Sequence, residues 1–200
     1  MFKEEIIRQL EIHPSRLDKE KNPFFMMEVA QEFLKMHPSW EWHVTTSGKE
    51  FRSMLPGVID KLRALSIEEP RFKLLEGLTK EEYYTELATC SIQFNSALQD
   101  YVSWTVIEAT AFGADIVYPK FRSFPEFIDD DRMYKPFDVQ SALTVFADAL
   151  LFGHRHNNIV DISDLGRQME GYIVANGIKN EINVWHETEY CKHLLNKNEE

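Results

Sequence analysis

Short apolar runs alternate along the chain with segments in which apolar residues recur every three or four positions. The short runs are rich in β-branched and aromatic residues and end at glycine, proline or polar residues, which predicts strands. Because strands alternate with helices, the pattern predicts an α/β fold: a mostly parallel, Rossmann-like sheet with helices on both faces. The predicted strands are residues 5–12, 42–46, 71–75, 90–94 and 115–118.

Local signals mark the ends of the segments with helical spacing. Asn22 and Pro23 provide an N-cap and a first-turn proline, Thr79 opens a capping box, and Gly113 follows the last periodic residue of its segment. Pro56 is expected to disturb the middle of the second helix. The predicted helices are residues 23–36, 49–65, 79–87, 103–112 and 139–150.

Length and composition support one principal domain. The chain has 200 residues, and 44% of them are apolar, which is enough to build a buried core. We predict a Rossmann-like domain over residues 1–153, with residues 154–200 as a C-terminal helical extension packed on it. Cys90 and Cys191 lie far apart and form no disulfide pattern, so a reducing cytoplasmic location is expected.

Charge and hydropathy exclude several classes of partner. The formal net charge is -11 and the pI about 5.1, whereas nucleic-acid binders usually carry a basic face. Residues 1–5 contain no apolar signal core. The longest apolar stretch, residues 143–151, is interrupted by Asp148 and is too short to span a bilayer. We therefore expect no nucleic-acid partner and no membrane insertion.

The loop after the first predicted strand carries residues that are candidates for binding a phosphate. Ligands of parallel α/β sheets bind beyond the carboxyl ends of the strands. Arg16 and Lys21 lie in this loop, directly before the N-terminus of a helix. Two cations and a helix N-terminus suit a phosphate or diphosphate. The alternative is a solvated polar loop, which composition alone favours.

The loop after the fourth predicted strand carries candidate ligands for a sugar or ribose. Asp100 lies in the loop and Glu108 lies just over one turn into the following helix, so both can border the same crevice. The alternative is an ordinary surface glutamate, which the position of Glu108 on a helix favours when taken alone. The backbone amides of the first helical turn are further phosphate donors. These belong to Val102, Ser103, Trp104 and Thr105.

Five segments, taken in order, resemble the C-terminal, donor-binding domain of glycosyltransferase family 4 (glycosyl transferases group 1), which is one half of a GT-B fold. Their order and spacing carry the resemblance, because each segment is weakly specific by itself. The segments are residues 12–23, HVTTSG at 43–48, residues 84–96, DYVSWTVIEATAFGADIV at 100–117, and FPEFI at 124–128.

The resemblance implies a role for each matched residue. Arg16 and Lys21 would contact the donor diphosphate, Glu108 the nucleotide ribose, and Asp100 the transferred sugar. Gly48 and the amides of residues 102–105 would complete the nucleotide site. Asp100 departs from the family, which usually has Glu at this position. Tyr101-Val102-Ser103 likewise stands where the family has a glycine-rich segment.

The resemblance further implies retaining glycosyl transfer from a nucleotide-diphosphate sugar, with neither metal nor other cofactor. Because the chain begins at the first strand of a donor domain, we expect an N-terminal acceptor domain or a partner subunit to be supplied separately. Asp129-Asp130-Asp131 is expected to form a surface turn and not a metal site. Two alternatives stay open: a nucleotide or nucleotide-sugar binding module without turnover, and an unrelated Rossmann-like domain.

Overall fold

The computed structural model describes residues 8–12, 16–98, 104–126 and 128–152. Within these residues, six strands form a parallel sheet in the order β3-β2-β1-β4-β5-β6. This parallel sheet is the predicted architecture, and β1 and β4 lie at its centre. The strands are β1 (Arg8–Ile12), β2 (Trp40–Ser47), β3 (Phe72–Leu78), β4 (Cys90–Phe94), β5 (Asp115–Pro119) and β6 (Met133–Tyr134).

Helices cover both faces of the sheet, as the alternation of elements predicts. The chain returns from β1 to β2 and from β2 to β3 over one face, where α5 also packs against α1. Helices α3 and α4 pack on the opposite face, against β1 to β3 and against β4 and β5 respectively. The helices are α1 (Pro23–Met36), α2 (Val58–Glu68), α3 (Lys80–Thr89), α4 (Trp104–Ala111) and α5 (Val139–Phe152).

An aromatic cluster fastens α1 and α5 to the centre of the sheet. The indole ring of Trp42 on β2 lies 5.9 Å from the ring of Phe33 on α1 and 5.4 Å from that of Phe94 on β4, measured between ring centroids. Phe146 on α5 lies 4.8 Å from Phe33. All four side chains are fully buried. Such rings remove large apolar areas from water, so this layer supplies much of the cohesion of the domain.

Local sequence signals predict several helix ends correctly. Helix α1 begins at Pro23 and ends at Met36. The predicted capping box of α3 is present, with Thr79 and Glu82 bonded reciprocally. Gly113 follows α4 with a φ of 81°, a left-handed conformation that glycine adopts readily. These features depend on neighbouring residues alone, so the sequence is sufficient to place them.

The second helix is shorter than predicted. It begins at Val58, whereas the apolar spacing predicts a start at residue 49. Pro56 disfavours a helical conformation at the residue before it, and Gly57 has a φ of 74°. Amides of the preceding segment bond across the molecule instead: Phe51 donates to the Glu76 carboxylate at 2.8 Å. The prediction is therefore wrong for residues 49–57, which form a loop.

Two smaller details also differ from the sequence prediction. Asn22 has a φ of 49°, and its side chain forms no cap hydrogen bond to the described residues of α1. Its amide instead closes the short 3-10 turn Lys19–Lys21. Strand β6, only two residues long, carries no periodicity and is absent from the prediction.

The predicted extension at residues 154–200 lies outside the described residues. Among those described, no helix combines the length and the apolar character needed to cross a membrane.

Candidate functional site

The order in which consecutive strands are added to the sheet reverses between β1 and β4, which are parallel neighbours. The connection that leaves β1 leads to α1 on one face, and the connection that leaves β4 leads to α4 on the other. Diverging connections open a crevice at the carboxyl ends of the two strands, which is where open α/β sheets bind ligands. The two loops singled out in the sequence are the two that border this crevice.

Hydrogen bonds join these two loops directly. The Ser96 hydroxyl donates to the main-chain oxygen of Lys21 at 2.7 Å, and the amide of Leu98 donates to the main-chain oxygen of Glu20, also at 2.7 Å. The Asn95 side chain accepts from the amide of Ala97 at 2.7 Å and so holds the second loop in a turn. The segment that carries Arg16 and Lys21 therefore lies against the connection that leads to α4.

Arg16 is a half-exposed cation that is already paired. Its guanidinium lies 3.5 Å from the carboxylates of both Asp18 and Glu20, and its side chain is 51% exposed. Ion pairs of this length in contact with water are weak. Asp18 is buried and accepts a 2.6 Å hydrogen bond from the amide of Met54. The guanidinium is therefore held at the surface by weak contacts that a stronger anion could replace.

Lys21 ends the 3-10 turn and lies two residues before α1. Lys21 is half-buried, and its amide donates to the main-chain oxygen of Asp18 at 2.9 Å. With its carbonyl bonded to Ser96, the main chain of Lys21 is fixed on both sides. The structure thus places the two predicted cations in one short segment beside the N-terminus of α1, an arrangement that favours anions.

The described part of α4 begins at Trp104. The hydroxyl of Thr105, in its first turn, is hydrogen-bonded to that of Tyr118 on β5 at 3.0 Å, which ties the start of the helix to the sheet. Asp100, Val102 and Ser103 lie outside the described residues. Their roles, and the use of the first-turn amides by a phosphate, stay predictions.

Glu108 lies in the second turn of α4, and its carboxylate faces α3. The hydroxyls of Tyr83 and Tyr84 donate to its two oxygens at 2.9 Å and 3.3 Å. Both tyrosines are buried. The sequence analysis assigns neither tyrosine a role, although Tyr84 begins one of the five matching segments. Two adjacent tyrosines in a mostly polar helix indicate buried phenol hydroxyls, which need hydrogen-bond acceptors. The neighbouring sequence does not identify Glu108 as the acceptor, because it lies more than 20 residues further along the chain.

Gly48 follows β2 at the same edge of the sheet. Its φ is 68°, and its amide donates to the main-chain oxygen of Leu78 at 2.8 Å. The loop that follows Gly48 is hydrogen-bonded to the loop after β1, because the amide of Leu17 donates to the main-chain oxygen of Arg52 at 2.9 Å. Gly48 therefore belongs to a loop that supports the crevice, while its predicted contact with a nucleotide stays a prediction.

The acidic triplet at residues 129–131 lies away from these loops in the sequence and forms part of a 3-10 turn, Asp130–Arg132. Asp130 pairs with the Lys120 ammonium at 2.8 Å. Among the residues that the structure describes, no three or more His, Cys, Asp or Glu side chains come together as a metal site would require.

No protein-family model matches the sequence, and no curated protein matches it either. Solved structures do match the fold. Anabaena Alr3699/HepE, solved in complex with UDP, superimposes with a TM-score of 0.63 at 12% identity, over 85% of this chain and 49% of that one. S. aureus TarM, also solved with UDP, gives 0.59 at 14% identity, over 71% of this chain and 28% of that one.

The catalytic domain of a cholesterol-α-glucosyltransferase from Helicobacter pylori gives a TM-score of 0.55 at 16% identity, over 76% of this chain and 92% of that one. The chain thus spans less than half of TarM and HepE, but most of this catalytic domain. These structures are GT-B glycosyltransferases, so the predicted Rossmann-like half of a GT-B fold is confirmed. Membership of glycosyltransferase family 4 stays a prediction.

Proposed function

We propose, with the GT-B half-fold as the premise, that this chain is the donor-binding part of a glycosyltransferase that uses a nucleotide-diphosphate sugar. One observation carries the proposal. The segment with Arg16 and Lys21 is hydrogen-bonded to the connection before α4 at the point where the strand order reverses. The UDP present in the structures of TarM and HepE supports a nucleotide as the ligand of this fold.

Each part of the crevice suits a different part of the donor. Arg16 and Lys21, with the amides at the start of α4, suit the diphosphate. The carboxylate of Glu108 suits the two ribose hydroxyls, which need acceptors. In this proposal Asp100 contacts the sugar, as the resemblance to family 4 implies, and Gly48 allows close approach of the backbone to the donor.

The proposed reaction is glycosyl transfer with retention of anomeric configuration. The bond from the anomeric carbon to the diphosphate oxygen breaks, and its electron pair leaves on the diphosphate. An acceptor oxygen bonds to the same face of that carbon, and its proton passes to the departing diphosphate oxygen. Arg16, Lys21 and the dipole of α4 would stabilise the developing negative charge, an effect worth a few kcal/mol, or about two to three powers of ten in rate. No metal is required in this scheme.

The acceptor would come from elsewhere. The crevice as described offers groups for a donor, and GT-B enzymes close it with a second domain. We propose that an N-terminal acceptor domain or a partner subunit provides this half.

Calorimetric titration with UDP, GDP and ADP and their glucose conjugates tests donor binding. We expect Arg16→Ala and Lys21→Ala each to weaken binding by about tenfold or more, as for lost charge-assisted phosphate contacts. Arg63→Ala is the matched control, because Arg63 on α2 is 55% exposed and also lies 3.5 Å from a carboxylate, that of Glu76. No binding of any of these compounds to the wild-type chain would contradict the proposal.

A nucleotide or nucleotide-sugar binding module without turnover is the second candidate. The stretch Tyr101-Val102-Ser103 favours it, because bulkier residues stand where family 4 has glycines that let the backbone approach the donor. Release of nucleoside diphosphate from the nucleotide sugar, measured with and without cell extract to supply an acceptor and a partner subunit, separates the two candidates. Binding without release in either condition would favour the module.

A further inference from the structure

The Glu108 carboxylate is held by two tyrosine hydroxyls from another helix. Tyr83 Oη lies 2.9 Å from Glu108 Oε2, and Tyr84 Oη lies 3.3 Å from Glu108 Oε1. Each carboxylate oxygen therefore accepts from a different phenol. The two tyrosines are consecutive residues of α3, and their rings lie 5.5 Å apart with a tilt of 39°. Both oxygens of the Glu108 carboxylate are therefore held by hydrogen bonds from α3.

The tyrosines are themselves fixed by their surroundings. Tyr83 is 4% exposed and Tyr84 is 6% exposed. The Tyr84 ring packs on Phe112, just beyond α4, with ring centroids 5.3 Å apart, and the Lys80 ammonium lies 5.6 Å from the Tyr84 centroid. A buried phenol hydroxyl requires a partner, and an ionised carboxylate is a strong acceptor. The rigid rings therefore limit the rotamers that Glu108 can adopt.

We propose that Tyr83 and Tyr84 are positioning residues that hold Glu108 ready for the ribose diol of a nucleotide. The inference rests on the proposed function, in which Glu108 binds the ribose. A carboxylate has about four lone-pair sites, so the hydrogen bonds from two phenols do not by themselves saturate it. A glutamate fixed in advance loses little rotamer freedom when the ribose arrives, which strengthens binding.

Removal of the ribose hydroxyls isolates this interaction from the rest of the donor site. The affinity for a ribonucleoside diphosphate divided by that for its 2′,3′-dideoxy counterpart reports only on contacts to the diol. Tyr83→Phe and Tyr84→Phe delete one hydroxyl each and keep the ring. Because a hydrogen bond contributes a net factor of about three to ten in an equilibrium constant, we expect each variant to lower the affinity ratio by that amount.

The experiment is calorimetric titration of the full chain with UDP, ADP and GDP and their 2′,3′-dideoxy forms. The proteins are wild type, Tyr83→Phe, Tyr84→Phe, the double variant and Glu108→Gln, each also followed by thermal denaturation. Tyr134→Phe is the control, because it removes a buried hydroxyl that donates to the main-chain oxygen of Asn95 at 2.7 Å. We expect the control to lower the melting temperature and leave the affinity ratio unchanged.

The outcomes separate this inference from the proposed function. If wild type prefers the ribonucleotides and Glu108→Gln removes that preference, the ribose role of Glu108 holds. Ratios unchanged in Tyr83→Phe, Tyr84→Phe and the double variant, with only stability reduced, would then overturn the positioning role alone. If wild type binds no nucleotide, the proposed function fails and the inference fails with it. If it binds ribo and dideoxy forms equally, the ribose role and the inference fail while diphosphate binding stands.

Discussion

The Ser96 hydroxyl donates a 2.7 Å hydrogen bond to the main-chain oxygen of Lys21, a residue 75 positions earlier in the chain. Ser96 follows β4 and Lys21 follows β1, so the bond crosses the place where the strand order reverses. It fixes the backbone of Lys21, which we propose to bind the diphosphate, against the connection to α4. Donor binding should therefore depend on Ser96 through the backbone position of Lys21.

Replacing Ser96 by alanine tests this dependence. Ser96→Ala leaves the main-chain oxygen of Lys21 without this donor, so we expect the free energy of unfolding to fall by about 1 kcal/mol and nucleotide affinity to fall several-fold. Chemical denaturation and calorimetry measure the two effects. Ser66→Ala is the control, since the Ser66 hydroxyl donates at 2.8 Å to the main-chain oxygen of Arg63 within the same helix. Equal nucleotide affinity in Ser96→Ala and wild type would show that the bond has no role in the site.

Gly48 provides a test of backbone conformation. Its φ is 68°, and no heavy atom of the described residues other than Gly48 and its two chain neighbours lies within 4 Å of the position that a β-carbon would occupy. Gly48→Ala should therefore lower the free energy of unfolding by about 1 kcal/mol through the left-handed conformation and not through a clash. Gly48→Asn should cost less, because asparagine tolerates this conformation better. Urea denaturation compares the two; an alanine variant as stable as wild type would contradict the argument.

The capping box of α3 sets the stability of the helix that carries both tyrosines. The Thr79 hydroxyl accepts from the amide of Glu82 at 3.2 Å, and the Glu82 carboxylate accepts from the amide of Thr79 at 2.8 Å. Thr79→Ala should lower the free energy of unfolding by about 1 kcal/mol. Thr85→Ala, which removes a hydroxyl bonded to Glu81 inside the helix, should cost less because alanine favours helix interiors. Equal losses by urea denaturation would argue against the cap.

The pair Glu69 and Arg71 predicts a pH dependence of stability. Arg71 donates to both carboxylate oxygens of Glu69, at 2.9 Å and 2.6 Å. Side-chain hydrogen bonds from Arg71 are the main cause that lowers the pKa of Glu69 below its ordinary 4.5. Partial burial raises this pKa, whereas the hydrogen bond from the Arg71 amide and the charge of Arg71 lower it further. Because the folded pKa is the lower one, the stabilisation is complete above the unfolded value and is lost as the pH falls through the folded value.

Denaturation of wild type and Glu69→Gln across pH 7 to 3 measures this contribution. The wild type should be the more stable protein at neutral pH, and its advantage should shrink below the ordinary glutamate pKa, as Glu69 becomes protonated. Glu68→Gln, at the exposed neighbouring position, is the control. An advantage of wild type over Glu69→Gln that stays constant down to pH 3 would show that the ion pair does not account for it.

Features that depend on adjacent residues are predictable from the sequence. Pro23 and the three-to-four spacing after it mark helix α1, and Thr79 with Glu82 marks the start of α3. The start of α2 is misplaced because apolar spacing continues through Pro56, whereas the chain there bonds to other loops. Apolar spacing records which side chains avoid water, but it does not say where a backbone amide finds its acceptor.

The sequence by itself determines the class of fold and the two segments that carry the candidate diphosphate and ribose ligands. The strand order, the bond from Ser96 to Lys21 and the convergence of Tyr83 and Tyr84 on Glu108 are decided only in the tertiary structure. The physical reason is the range of the interactions. Helix signals act over four residues, while these bonds join residues between 24 and 75 positions apart, which only the packing of the sheet and helices brings together.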